Sequence, residues 1–524
     1  MNQSFMESIK ATINTGRFNE SITENGAVGY RTTGSNLLDI NFSVSSLRKA
    51  DVETILEKWV KAYYENPTLA IKWLFFAGDI RGGLGERRLF RTIFTYICET
   101  KPELAEVLIP YIPMYARWDY VMDSIDNPNV QETILKFIKS SLFDNLDGFE
   151  AKESISLLAK WLPSVNSKNH EVRRKALIIC RYLGWSERKY RQTLAKLRTY
   201  LNIVEVKMCA NEWNEIEYSA VPSKANLRYK DAFMNHDEDR RTAYLDALSK
   251  GETKINAGVL FPHDIVAKTT KHTSWDQTLL PKDQTVIELW KALPDYVKGN
   301  SNTIVVADGS GSMVDAKISP NVTALDVANA LAIYFAEHQT GQFKNNYITF
   351  SENPKLVNFD KCKDIYDKVE VALAHDEIAN TNIEAVFDLL LSTAVQKHMT
   401  QEEFVDNVLI ISDMEFDSAT ICRYFTGTRL AYQTPSKKLF EEITENYARC
   451  GYKLPRLIFW NVNSRTGTIP VIENELGVAL VSGFSPTIAK MVLSGKTDPY
   501  EVLLEAINDK RYDPIDEVVS QVLN

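Results

Sequence analysis

The run Thr303–Asp308 (TIVVAD), which stops in Gly309-Ser310-Gly311-Ser312, constrains this chain most, because it opens an alternation of short apolar runs with helical stretches. Strands are expected at Thr303–Asp308, Tyr347–Phe350, Val408–Asp413, Leu457–Val462 and Val478–Ser482. Between or after them, Val322–His338, Ile383–Gln396, Ser436–Arg449 and Thr487–Leu493 read as helices. Strands apolar throughout their length must be covered on both faces, and the intervening helices supply that cover. The expectation for residues 301–524 is a doubly wound, Rossmann-like α/β domain with C-terminal helices.

The chain before this point has another period. From Asp51 to about Leu201, segments such as DVETILEKWVKAYYE, RRLFRTIFTYICET and VQETILKFIKSSLF place apolar residues three and four apart. Breaks at Asn66-Pro67, Lys101-Pro102, Ile112-Pro113 and Leu162-Pro163 separate them. Successive helices on short connections predict an α-helical, HEAT-like solenoid over residues 51–300, without a strict internal period. Residues 202–300 are less regular, with helices expected at Glu238–Ser249 and Asp283–Leu293. Residues 1–50 mix Gly, Asn, Ser and Thr and read as a flexible lead-in.

Charge divides the chain the same way. The net charge of −9 is the sum of −12 over residues 301–524 and +3 over the rest, so the two parts are expected to do different work. No apolar run reaches the roughly 18 residues needed to span a bilayer. No basic segment followed by an apolar one opens the chain, so no secretion signal is expected. Six scattered cysteines without a CxxC pair fit a reduced, cytoplasmic protein better than a disulfide framework or a zinc site.

Three pieces of the α/β half carry chemistry. Asp308, Ser310 and Ser312 follow the first strand, Thr381 lies in Asn380-Thr381-Asn382 before a helix, and Asp413 ends the strand Val408–Ser412. In an open α/β sheet ligands bind outside the carboxyl ends of the strands, at the point where strand order reverses. The donors are hydroxyls and carboxylates, which select a hard divalent cation: Mg²⁺ first, with Ca²⁺ or Mn²⁺ also accommodated. With few charged ligands the ion would keep positive charge and an open position for an acidic group of a partner. A nucleophile elbow is excluded, because neither serine has Gly two places before and after it. A P-loop is excluded for lack of its lysine. An enzyme using the cation would need a general base, for which only Glu415 and Asp315 are nearby, so no catalytic activity is expected.

The DxSxS pattern with a later Thr and a strand-end Asp resembles the metal-ion-dependent adhesion site of von Willebrand factor A domains. That resemblance implies direct metal contacts from Ser310, Ser312 and Thr381, with Asp308 and Asp413 acting through water or hydrogen bonds. Asn380 departs from the family, which often has Gly before this Thr. A helical array before such a domain is similar to the TROVE and Ro autoantigen architecture, in which a HEAT-like ring binds non-coding RNA. Asp79-Ile80-Arg81-Gly82-Gly83-Leu84-Gly85-Glu86-Arg87-Arg88, Trp161-Leu162-Pro163-Ser164 and Val221-Pro222-Ser223-Lys224 are closer to an uncharacterised Ro-related family.

Residues 168–198 support the RNA expectation independently. Lys168, Arg173, Arg174, Lys175, Arg181, Arg188, Lys189 and Arg191, with Lys196 and Arg198, face only Glu171 and Glu187, with Tyr182, Trp185 and Tyr190 interleaved. Phosphates favour such a surface and aromatics can stack on unpaired bases. The bland alternative is a solvated helix face with core aromatics. Arg81, Arg87 and Arg88 flank a glycine loop before a helix, a second candidate anion site, against an ordinary turn. His263 and Asp264 are assigned no catalysis. The leading expectation is thus a Ro-like protein binding structured RNA. The alternative is a metal-dependent protein scaffold without RNA, for example one recruiting an AAA+ ATPase.

Overall fold

The computed structural model describes residues 20–22, 28–272, 277–297, 302–319, 322–351, 353–375, 383–414, 437–463, 478–485, 488 and 498–523. They fall into two compact units that do not follow chain order: Val52–Val259 with Ile507–Asn524, and Met1–Asp51 with Leu260–Ala506.

The first unit is helical. Its opening helices are α1 (Val52–Glu65), α2 (Pro67–Gly78) and α3 (Arg87–Thr100). Asn66 caps α2 by accepting from the Leu69 N–H, and Pro67 occupies the first turn, where a missing N–H costs nothing. Apolar and aromatic faces meet in an interior built on Trp59 and Trp73, stacked 6.5 Å apart, and on Phe75 against Phe90 and Tyr115. Then come α4 (Gln131–Ala151), α5 (His170–Leu183) and α6 (Glu187–Tyr200), followed by further helices that include the expected Glu238–Ser249. The terminal helix Asp513–Leu523 returns to this unit, where the buried Lys72 donates to Asn508 and Asp516.

The second unit holds the sheet: β1 (Thr303–Asp308), helix α7 (Ala324–His338), β2 (Asn346–Phe350), β3 (Leu356–Asn358), α8 (Ile383–Lys397), β4 (Asn407–Ser412), α9 (Lys437–Arg449), β5 (Arg456–Asn461) and β6 (Val478–Ser482). Strand order is β3-β2-β1-β4-β5-β6, parallel except for the antiparallel edge strand β3. The order reverses between β1 and β4, so the crevice expected of a doubly wound sheet lies there. Ile304, Val306, Val408, Ile410 and Phe459 pack on one face with Phe387 of α8 and Tyr447 of α9. On the other, Trp460 meets Phe335 of α7 edge-on at 5.6 Å. Every residue of β1 is buried, as its uninterrupted apolar sequence requires.

Two boundaries differ from the sequence expectation. Residues 36–47 are helical rather than irregular, and Phe42 sits in the core of the α/β unit. The apolar residues Leu37, Leu38, Ile40, Val44 and Leu47 are all buried, a short signal diluted by the polar residues before it. Residues 260–297 likewise belong with the α/β unit and not with the helices. Strand β3 and the helix Ile365–His375 were not expected, being brief or adjoining polar stretches.

Candidate metal centre and nucleic-acid interface

β1 and β4 are neighbours, with Ala307 opposite Ile411, so their carboxyl ends emerge side by side. Asp308 is buried there. One carboxylate oxygen accepts from the Ser310 N–H at 2.9 Å, and the other from the Ser412 hydroxyl at 2.5 Å. The Ser412 hydroxyl in turn accepts from the Met414 N–H at 3.1 Å. Asp308 therefore shapes the serine loop and ties it to the turn carrying Asp413. Met414 takes a left-handed backbone, φ 64°, which bends the chain sharply after the buried Asp413.

Ser310 and Ser312 are half-buried, with hydroxyl oxygens 3.0 Å apart. Neighbouring oxygens in a Mg²⁺ octahedron with bonds of about 2.1 Å stand about 3.0 Å apart, so this pair fits two adjacent positions. Among the described residues there is no group of three or more His, Cys, Asp or Glu side chains that could hold a metal ion. Thr381, Asn380, Asn382 and Glu415 lie outside the described residues, as does the Asp315 side chain.

The sequence reading missed Ser412, and with it a row of polar residues along this edge. Asp308, Ser412, Asn461 and Ser482 end β1, β4, β5 and β6, and all four are buried. Ser45, from the N-terminal helices, donates to Asn461 at 3.0 Å, while its N–H reaches the Ser482 hydroxyl at 3.2 Å. The available signal was that each apolar strand stops on a polar side chain. His263, in the short helix Pro262–Val266, is a packing residue, its ring tilted on Phe261 and edge-on to Phe484.

In the helical unit, α5 and α6 form a hairpin. Asn169 and Ser186 cap their N-termini, and Gly184, φ 65°, closes α5 by donating to the Arg181 carbonyl. Ala176, Ile179, Tyr190, Leu194 and Leu197 turn inward, which leaves the basic residues outside. Lys168, Arg173, Arg181, Arg188 and Arg191 are exposed and make no ion pair among the described residues. The other basic residues are engaged. Arg174 forks onto Asp126, Lys175 donates to the Met122 carbonyl at 3.1 Å, and Lys189 lies over the Trp185 ring at 4.6 Å. Lys196 binds Glu150 at 2.8 Å. Arg198 donates to the Ala159 and Leu162 carbonyls and to Ser164, and burial lowers its pKa. Of the aromatics, Tyr190 is buried on the Pro163 carbonyl and Tyr182 meets Glu132. Half-buried Trp185, edge-on to the 42% exposed Phe143, is the stacking surface that remains.

The glycine loop does not form an anion cradle. The N–H groups of Gly83 and Gly85 bond the Asp79 carbonyl, that of Leu84 bonds Phe76, and that of Glu86 bonds Ala77. The Asp79 carboxylate is fully buried and accepts from the Arg81 N–H, both nitrogens of the Arg511 fork and the Tyr512 hydroxyl. Four of the loop's N–H groups are thus spent inside it. Arg81, Arg87 and Arg88 are exposed around it.

Comparisons with known proteins carry names without activities. Two family models, each described as a domain of unknown function, match the chain: DUF2828 over residues 140–302 and DUF7788 over residues 302–518. "Uncharacterized protein L728" of Acanthamoeba polyphaga mimivirus is 28% identical over 539 residues, covering 95% of this chain and 89% of its own length. The crystal structure of the Deinococcus radiodurans Ro (RSR) protein aligns over 88% of this chain and all of its own, at 12% identity and a TM-score of 0.45. No described helix is long and apolar enough to cross a membrane.

Proposed function

We propose that this chain is a Ro-like RNA-binding protein whose α5–α6 face holds structured or non-coding RNA. The α/β unit is read as a von Willebrand factor A-type domain that holds a divalent cation, Mg²⁺ in the first place. The observation that carries the RNA reading is the set of five exposed basic side chains on and just before one hairpin, none with an acidic partner among the described residues. Such groups have phosphate as their natural counterion. The Trp185–Phe143 pair beside them offers a face for an unpaired base.

In the α/β unit Ser310, Ser312 and Thr381 would hold the cation, with Asp308 and Asp413 orienting them. Once bound, the cation supplies a positive, open coordination position for an acidic group of a protein partner. The role is binding, and no reaction is assigned to the chain. The convergence of hydroxyl donors at the point where strand order reverses also favours the second reading, a cation-dependent scaffold without RNA.

Sequencing of RNA crosslinked to the protein in its native host separates the two. Defined RNAs enriched with the wild type and lost from an Arg173→Glu, Arg181→Glu, Arg188→Glu, Arg191→Glu variant are the expected result. No enrichment over background would leave the scaffold reading in place of the first.

A further inference from the structure

Arg174 differs from its neighbours on α5. Both of its terminal nitrogens meet both oxygens of Asp126, which lies 48 residues earlier, before α4. The pair is open to water, with the arginine side chain 44% and the aspartate 39% exposed. Exposed pairs of this kind add little to stability, because water and salt compete with them. A nearby pair behaves differently: Asp123, on Arg91, is 17% exposed, a fixture of the fold. Lys175 is fixed as well, at 16% exposure on the Met122 carbonyl.

A guanidinium fork binds phosphate as readily as carboxylate, in the same two-pronged geometry. Arg181, seven residues on and so two turns along the same side of α5, is exposed and carries no acid partner among the described residues. Arg173, the chain neighbour of Arg174, is in the same state. An incoming phosphate would meet these open charges first and then a fork already shaped to receive it.

We infer that Asp126 is a stand-in for phosphate: it holds the Arg174 fork in the free protein and yields it when a phosphate ester seats between Arg174 and Arg181. This rests on the RNA reading above and adds regulation to the same face. No covalent bond changes; one anion replaces another, and Asp126 turns to solvent. The exchange makes binding selective, since a lone carboxylate or chloride gains nothing by displacing an equally good internal ligand.

The test uses the full chain and two probes, a fluorescein-labelled 20-nucleotide oligouridine and inorganic tripolyphosphate. Asp126→Asn is expected to raise affinity for the RNA about fivefold, because the same phosphate contact then forms without displacing a carboxylate. In an Arg174→Ala background the same substitution should change nothing. Glu187→Gln, which removes a nearby charge engaged with no arginine, should change affinity less than about twofold. A gain that survives in the Arg174→Ala background would be a general charge effect and would overturn the exchange, as would no gain at all. An Arg174-dependent gain for tripolyphosphate, with no RNA bound by any variant, would instead retire the RNA reading and keep the exchange. A thermal unfolding transition that is only slightly shifted and equally cooperative in the variants ensures that the comparison is one of binding.

Discussion

Single side chains decide how the two candidate sites are held. Asp308 is occupied on both oxygens, so at the proposed cation site its contribution would be orientation, with Ser310 and Ser312 presenting the donor atoms. Ser310→Ala with Asp413→Ala is expected to abolish Mg²⁺ binding in calorimetry while the circular dichroism spectrum is unchanged. Heat on titration equal to that of the wild type would remove these residues from the site. The Asp126 carboxyl sits below its usual range because Arg174 donates to it. Its stabilising contribution is therefore complete above the unfolded value, about 3.9, and is lost as pH falls through the lower folded one. Wild type and Asp126→Asn should then differ slightly in unfolding above about pH 4, and the difference should shrink as the pH falls below it. At this scale the strand-end residues were legible because β1 and β4 carry apolar runs that stop on Asp308 and next to Asp413. Which arginines are open was not legible, since Arg173 and Arg174 differ only in whether Asp126, far off in sequence, reaches them.

At the level of elements, the loop after α2 shows how a motif can be right in residues and wrong in role. Glycines before a helix read as an anion site, yet at Gly83 a Cβ would stand 1.9 Å from the Phe76 carbonyl oxygen. The glycine is there because two backbones touch. The loop closes on a charge from the other end of the chain, Arg511 on Asp79, 432 residues apart. No local pattern could announce that partner. Removing it leaves a fully buried carboxylate with neutral donors only, so Arg511→Ala is expected to cost about 3 kcal/mol in urea unfolding. Gly83→Ala should be comparably damaging. A loss below about 1 kcal/mol in Arg511→Ala would mean that the Tyr512 hydroxyl and the Arg81 N–H satisfy Asp79 unaided. The strands, by contrast, were found within a residue or two, because burial on both faces leaves an unbroken apolar run that few other environments produce.

Over the whole molecule, the period of the apolar residues revealed one helical and one α/β part, but not where each begins. The chain passes between the two units at 51/52, 259/260 and 506/507. Residues 36–51 complete the α/β unit from one end, and residues 507–524 complete the helical unit from the other. Truncation after Ala506 is expected to lower the melting temperature of the helical unit, because Lys72 and Asp79 lose their partners together; an unchanged melt would show those contacts to be dispensable. The same threading bears on biosynthesis. A ribosome finishes α1 to α6 long before it makes Arg511 and Asp516, so the helical unit waits with a buried acid and a buried amine uncompensated until the final stretch of chain emerges. Residues 36–51 wait in turn for strands made more than two hundred residues later. The helical unit cannot mature until the α/β unit has been made, and a chain ended before Ala506 would offer quality-control proteases two incomplete bodies rather than one finished and one missing.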